Sequence, residues 1–337
     1  MFRLFPAFCA LVVLALNGTS LHAVEDAIVF VAEWGGKGDA DGQFHSPIGI
    51  AISKHDVLYV TDLNNARIQK FDTDGEFLGG FALPSDIEER KHSQTPGIAI
   101  DDNGLIYVSF MLQHRISVFS DSGEVVRAWG TLGNGPGQLN GPGGLALGKD
   151  NVLYVADQRN HRIQVFSSTG EYIKAWGDHG TEIGQFGGLE PNGSRFGGPH
   201  FVAMDFESRL YTTEGTGSRV QRFDENGKAD LTWGNAGNEP GGFGALKTGF
   251  SKNPFGPIAI MVDRSDRVWV SSLNDRVQAF SPDGEFLFGI GTTGDGPAEF
   301  SRPHGMAMDS EGHLYVCDSS NHRIQKFKCT TKSITKR

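Results

Sequence analysis

The sequence predicts an all-β fold, a six-bladed β-propeller whose last blade is completed by the N-terminal strand of the chain. Three observations predict it: an arginine-centred phrase recurs six times, an aromatic phrase precedes each copy, and the repeats are broken in complementary ways at the two ends.

The third strand of each repeat is the easiest to see. Arg67, Arg115, Arg162, Arg219, Arg276 and Arg323 each open a phrase such as Arg67-Ile68-Gln69-Lys70-Phe71 or Arg323-Ile324-Gln325-Lys326-Phe327, at intervals of 48, 47, 57, 57 and 47 residues. Upstream lie Leu58-Tyr59-Val60 and its counterparts at Tyr107, Tyr154, Tyr211, Trp269 and Tyr315, which are second strands. Both phrases are too short and too β-branched for helices. Pro47, Pro96, Pro142, Pro199, Pro257 and Pro303 each introduce a short apolar first strand.

A glycine turn follows the third strand in five repeats, at Gly75, Gly123, Gly170, Gly227 and Gly284, and leads into a fourth strand. Glycine suits such hairpins because it adopts positive φ without strain. Fourth strands end near Gly80, Trp129, Trp176, Trp233 and Gly289. The sixth repeat lacks this strand, and residues 28–35, ending in Trp34-Gly35, resemble it. Pairing the two closes the ring and hides its sheet edges. The tryptophans sit at repeat positions, which makes them packing residues between blades. The arginines, equally periodic, are expected to pair with nearby carboxylates or carbonyls.

The repeated Pro-x-Gly, Leu-Tyr-Val-x-Asp and Asn-x-Arg-Ile-Gln patterns resemble the NHL-repeat family over roughly residues 28–328. That resemblance implies a six-bladed propeller. The family includes scaffold and RNA-binding members, so the fold selects no activity.

The flanks read differently. Residues 1–23 combine Arg3, an uncharged apolar run from Ala7 to Leu16 and a polar stretch ending at Ala23, the pattern of a secretory signal. The apolar run is too short for a membrane span. The division expected is therefore a signal over 1–23, a propeller over 24–330 and a basic tail over 331–337, with the mature chain secreted, extracellular or periplasmic and without a transmembrane span. The formal charge of the full sequence, -10, disfavours nucleic acid and anionic membranes as partners. Outside the signal only Cys317 and Cys329 remain, and they make neither a disulfide framework nor a zinc knuckle.

Strand order places the start of each first strand and the end of each second strand on one face. His200 and His304, directly after Pro199 and Pro303, fall there two blades apart, as candidate ligands for zinc or another divalent metal. Asp62, Asp157, Glu214 and Asp318 end second strands on the same face and are candidate channel residues; Glu214 and Asp318 are candidates either to orient the imidazoles or to complete a metal shell. The alternative is a pair of histidines that only satisfy backbone groups in a polar channel.

The histidine pair also resembles the peptidyl-hydroxyglycine amidating lyases, propellers in which three channel histidines bind zinc with help from an arginine and a tyrosine. The resemblance implies His200 and His304 as ligands and a lyase reaction. It departs at the third position, read as Gly97 in Pro96-Gly97, with His92 in the neighbouring connection; Phe110 offers no base.

Two connections, residues 178–198 and 235–256, are about ten residues longer than the rest. Their Asn192, Arg195, Phe196, Asn238, Lys247 and Phe250 are candidate recognition residues, and Asn192-Gly193-Ser194 is a glycosylation sequon. No phosphate-cradling loop leads into a helix, so no nucleotide cofactor is expected. Three readings stay open: a protein-, peptide- or small-ligand-binding propeller acting through this face, a zinc-dependent lyase, and a structural component of an exported assembly.

Overall fold

The computed structural model describes residues 27–84, 97–187, 198–244 and 256–330. Residues 1–23, where a signal is expected, and residues 331–337, the expected basic tail, lie outside them.

Six four-stranded antiparallel sheets form the blades. Blade 1 runs through Pro47–Ile52, Leu58–Asp62, Arg67–Phe71 and Phe77–Ala82 in sequence order. Blades 2 to 5 repeat this order. Blade 6 takes Pro303–Met308, His313–Asp318 and Arg323–Thr330, and its outer strand is Ala27–Gly35 from the other end of the chain. That strand pairs antiparallel from Ala27 opposite Thr330 to Gly35 opposite Arg323. First strands touch their neighbours all the way round, blade 6 against blade 1 included. The N-terminal strand therefore closes the ring.

The period of two along each strand explains where the core lies. Leu58 and Val60 pack with Tyr315 and Ile324 of blade 6, whereas Tyr59 between them packs with Ile106 and Val108 of blade 2. Alternate residues thus serve the two faces of one blade, both buried. Six apolar wedges result, one at each blade junction.

The fourth-strand aromatics lock neighbouring blades together. Trp34 of blade 6 lies 6.0 Å from Tyr315 and 6.1 Å from Phe71 of blade 1 between ring centroids. It also covers the hairpin glycine of blade 1: a Cβ on Gly75 would come within 2.7 Å of the indole, and φ there is +86°. Trp129, Trp176 and Trp233 sit over Gly170, Gly227 and Gly284 in the same way. In blade 1 the position belongs to Phe81, over Gly123, and in blade 5 to Ile290, opposite Val277. These residues, rather than Gly80 and Gly289, are the structural equivalents of the tryptophans. Ile290 faces blade 6, the blade that has no hairpin at this point because its outer strand arrives from the N-terminus.

Cys317 and Cys329 are not bonded to each other. Cys317 is buried between blades 6 and 1, while Cys329 packs against the wedge between blades 5 and 6.

Candidate functional site: the channel mouth

The four second-strand carboxylates are held within their own blades. Asp157, fully buried, accepts the Asn140 N–H at 2.7 Å on one oxygen. Its other oxygen accepts Asn160 at 2.8 Å, Arg162 at 2.8 Å and Gln164 at 2.9 Å. Arg162 continues to the carbonyls of Asn134, Gly135 and Gln138. Asp62 with Arg67 (2.9 Å) and Asp318 with Arg323 (2.8 Å) repeat the set. Glu214 keeps its pairing with Arg219 at 3.1 Å. Burial pushes the carboxyls of Asp157 and Glu214 upward, against the pull of their arginines and hydrogen bonds. Their oxygens tie a blade to the loop before it.

That loop is a motif the repeat reading passed over. After the fourth strands of blades 2 to 6, the chain makes a compact turn. It ends in Gly42-Gln43-Phe44, Gly137-Gln138-Leu139, Gly184-Gln185-Phe186, Gly241-Gly242-Phe243 or Ala298-Glu299-Phe300. The last side chain of each is fully buried. The strand-three glutamine binds the loop twice: in blade 1, Gln69 donates to the Gln43 carbonyl at 2.7 Å and accepts the Gly42 N–H at 3.0 Å. The signal was present in the sequence, but glycine-rich connections pass for turn filler.

The long connections begin with the same loop, at residues 178–187 and 235–244. Asn238 belongs to it: its carbonyl accepts Arg276, and its side-chain oxygen accepts Asn274 at 3.4 Å. Asn192, Arg195, Phe196, Lys247, Phe250 and the sequon lie outside the described residues, as does His92.

The two histidines occupy matching places. The His200 N–H donates to the Thr213 carbonyl at 2.8 Å, and its own carbonyl accepts the Gly144 N–H of blade 3 at 2.8 Å. Its ring is buried, at 5 % exposure, over the backbone of Gly215. A Cβ at 215 would stand 2.5 Å from the imidazole, so the ring occupies the space a side chain there would need. His304 is half-buried. Its Nδ1 lies 2.8 Å from the Arg302 carbonyl and 3.1 Å from Ser319 Oγ, and Ser319 donates to the Pro47 carbonyl of blade 1. Burial pushes the His304 pKa down to about 4; the bond to the Arg302 carbonyl opposes this, and the charges of Arg302 and His200 add to it. The two rings are thus electrostatic neighbours.

Residues that follow the second-strand acid support this pair: Gln158, whose amide reaches the His200 carbonyl at 3.5 Å, Gly215 and Ser319. Sequence reasoning missed them. Their signal is variability, because this position reads Leu63, Met111, Gln158, Gly215, Leu273 and Ser319 between neighbours that repeat.

Register corrects the third position. The Gly97 N–H donates to Ser109 Oγ, as Gly49 does to Thr61, Phe201 to Thr213 and Ala259 to Ser271. Gly97 therefore matches Phe201, one residue past His200, and the counterpart of the histidines is Pro96, outside the described residues. The proline of this repeat is shifted by one. A Cβ on Gly97 would also meet the Gly143 carbonyl at 2.4 Å.

Below the histidines the channel is walled by first strands. A cavity of about 180 Å³ is lined by Ile50, Ile98, Leu145, Phe201, Ile260 and Met306 among others. The side chains of this wall are apolar, and backbone polar groups share the lining. Among the described residues no three His, Cys, Asp or Glu side chains gather to hold a metal. Catalytic zinc takes three protein ligands, so the described residues supply two at most.

Three segments, residues 44–71, 139–166 and 300–327, match the NHL repeat. They run from the buried loop aromatic or leucine to the last strand-three phenylalanine of blades 1, 3 and 6. NHL repeat-containing protein 3 of Homo sapiens is 35 % identical over 88 residues, 24 % of this chain and 25 % of that protein. Peptidylglycine alpha-amidating monooxygenase of Rattus norvegicus is 30 % identical over 149 residues, 41 % of this chain and 14 % of that one. The chain thus matches a quarter or less of the length of these curated relatives. A gluconolactonase structure from Xanthomonas campestris superposes with a TM-score of 0.61 at 16 % identity, over 97 % of this chain and all of the other. A streptogramin B lyase gives 0.60 at 15 %, over 92 % and all of the other. At such identities the likeness is one of fold.

Proposed function

Since the chain is an NHL-repeat six-bladed β-propeller, we propose that it is a binding protein whose ligand, a small molecule or the end of a peptide, enters the channel mouth beside His200 and His304. One observation carries this reading: a channel cavity lined by first-strand residues, among them Phe201 and Gly305, which His200 and His304 directly precede in the chain. Concave, mostly apolar pockets with a few converging polar groups are the usual form of ligand sites. The candidate acids of this face, Asp62, Asp157, Glu214 and Asp318, each pair with an arginine of their own blade.

Filling the channel tests it. In Met306→Trp the larger side chain is expected to fill the cavity from a position that also borders the wedge between blades 5 and 6, and a melting transition that stays cooperative shows that this wedge still packs. A fragment library is expected to raise the melting temperature of the wild type, and the same fragments are expected to leave the filled variant unmoved. Equal responses from both proteins would place binding elsewhere.

A zinc-dependent lyase is the second reading, favoured by the likeness to the amidating monooxygenase and by the histidine pair. It requires a third ligand from outside the described residues. Metal analysis decides it: near-stoichiometric zinc that His200→Ala and His304→Ala abolish without unfolding supports the lyase, and protein that retains no metal removes it. A structural role in an exported assembly would use the outer blade edges, and a pull-down from the native compartment would detect it.

A further inference from the structure

Building on the channel-mouth reading, we propose that the ligand is an uncharged planar cyclic amide, its ring laid against Phe201 and its N–H and C=O paired with the main chain of the first strands.

The phase of the first strands is the first support. The turn between first and second strand closes in every blade with one main-chain bond: Ser53 to Val57, Asp101 to Leu105, Gly148 to Val152, Asp205 to Arg209, Asp263 to Arg267 and Asp309 to His313. Antiparallel ladders bond at alternate residues. Two residues back from each of these donors, Ala51, Ala99 and their counterparts therefore face the second strand. Two further back, the carbonyls of Gly97 and Phe201 accept the N–H groups of Ser109 and Thr213 across the same pair. The residue between these two positions turns its N–H and C=O away from the second strand. It is Ile50, Ile98, Leu145, Val202, Ile260 or Met306. First strands form one edge of every sheet and touch each other around the ring, so these groups turn toward the channel.

Their side chains leave the way clear. Each of the six is buried in a wedge between blades, and all six residues line the cavity. What meets a ligand at this level is main chain, donors and acceptors in equal number and no ion. A charged molecule would lose its water there without meeting an opposite charge. An amide carries the same two groups as the wall.

One residue nearer the mouth, the ring of blades loses its symmetry. Five blades hold Gly49, Gly97, Gly144, Ala259 and Gly305, and the sixth holds Phe201. Phe201 is half-buried and lines the cavity. It packs against the wedge between blades 4 and 5 and also against that between blades 5 and 6. An aromatic ring thus flanks the cavity on one side, and glycine backbone flanks it on the others. The cavity volume, about 180 Å³, compares with the roughly 150 Å³ of a protein cavity known to take up benzene, so one six-membered ring fits.

Four probes separate these features. The simplest cyclic amide is α-pyridone; N-methyl-α-pyridone lacks its donor, toluene lacks both polar groups, and benzoate is charged. Backbone amide NMR signals of Ile50, Ile98 and Ile260 are followed during titration with each. In the wild type α-pyridone is expected to shift them and to bind about threefold to tenfold more tightly than its N-methyl form, the worth of one hydrogen bond. Toluene is expected to bind more weakly still, and benzoate not at all. Phe201→Leu, checked for cooperative melting, is expected to weaken α-pyridone by about twofold to tenfold, the worth of an aromatic pair. If toluene or benzoate binds as tightly as α-pyridone, the amide inference falls while the channel reading stands. If no probe shifts these signals, the channel reading itself falls. The unaltered protein offers a further check: nuclear Overhauser contacts are expected between bound α-pyridone and the Phe201 ring, and binding without them would sink the proposal.

Discussion

At the scale of single residues, the hairpin glycines answer two demands at once, and these can be separated. Gly75 has φ +86° and lies under Trp34, whereas Gly104 has φ +80° with nothing near its missing Cβ. Alanine at 104 meets only the backbone cost of the left-handed region, about 1–2 kcal/mol. At 75 it also pushes on the indole, and overpacking of this kind adds about 1–3 kcal/mol. Urea denaturation of Gly75→Ala and Gly104→Ala is expected to show the first as the weaker protein by that margin. Equal losses would mean that the tryptophan yields freely. Gly215 carries a third kind of demand, since His200 fills the space above it. The same position holds Ser319 in blade 6, where a hydroxyl steadies the histidine from the side. Two histidines at matching sites are thus supported by different means, and this difference was illegible in a sequence read for what repeats.

At the scale of the blade, the arginine phrase that announced the fold is also what tightens it. Arg162 neutralises a buried carboxylate and binds three loop carbonyls. Arg162→Leu leaves Asp157 buried with no cationic partner, so a loss of about 3–5 kcal/mol is expected in chemical denaturation. Asp157→Asn in the same background should recover part of it, since no buried charge then remains. The residue before this arginine does a second job. The Nδ1 atoms of His114 and His322 accept N–H groups of the next blade, from Gly141 at 3.0 Å and from Ser46 at 3.1 Å, and Asp275 accepts that of Arg302 at 2.8 Å. Burial lowers both histidine pKa values from 6.5, with Arg159 and His45 as the next contributors. The unfolded chain then binds more protons than the folded one just below pH 6.5, so stability falls as pH drops through that value. Urea midpoints are expected to fall between pH 7.5 and 5.5, and less steeply in a His114→Asn, His322→Asn double variant. Identical slopes would show that these bonds do not govern the response. The repeats themselves were plain in the sequence because periodicity survives substitution. The error at Pro96 arose where periodicity slipped by one residue, and only the bond from Gly97 to Ser109 reveals the true register.

At the scale of the molecule, closure is the property on which the channel depends. Six wedges make a ring only if blade 6 is complete, and its outer strand is supplied by residues 27–35. The broken repeats at the two ends made this legible from the sequence, because each lacked what the other held. The structure adds how the seam is secured. Arg323 reaches Glu33 at 2.7 Å, Phe30 meets Phe327 at 5.9 Å, and Trp34 crosses into blade 1. Ser319 joins the seam to the mouth, for it binds blade 1 through the Pro47 carbonyl while holding His304. An open ring would therefore disturb the placing of His304 as well as the core. Two truncations test this. A chain starting at residue 24 retains the closing strand and is expected to melt as the full chain does. A chain starting at residue 36 exposes the last third strand as an edge and uncovers two wedges. It is expected to lose cooperative melting and to associate through that edge. Between these extremes, Trp34→Ala leaves the strand but removes its anchor, for a loss of about 3–5 kcal/mol and a Tm lower by roughly 6–15 °C. A chain from residue 36 that melted cooperatively at the full-length temperature would show that the ring does not need its seam, and the account of the channel would lose its frame.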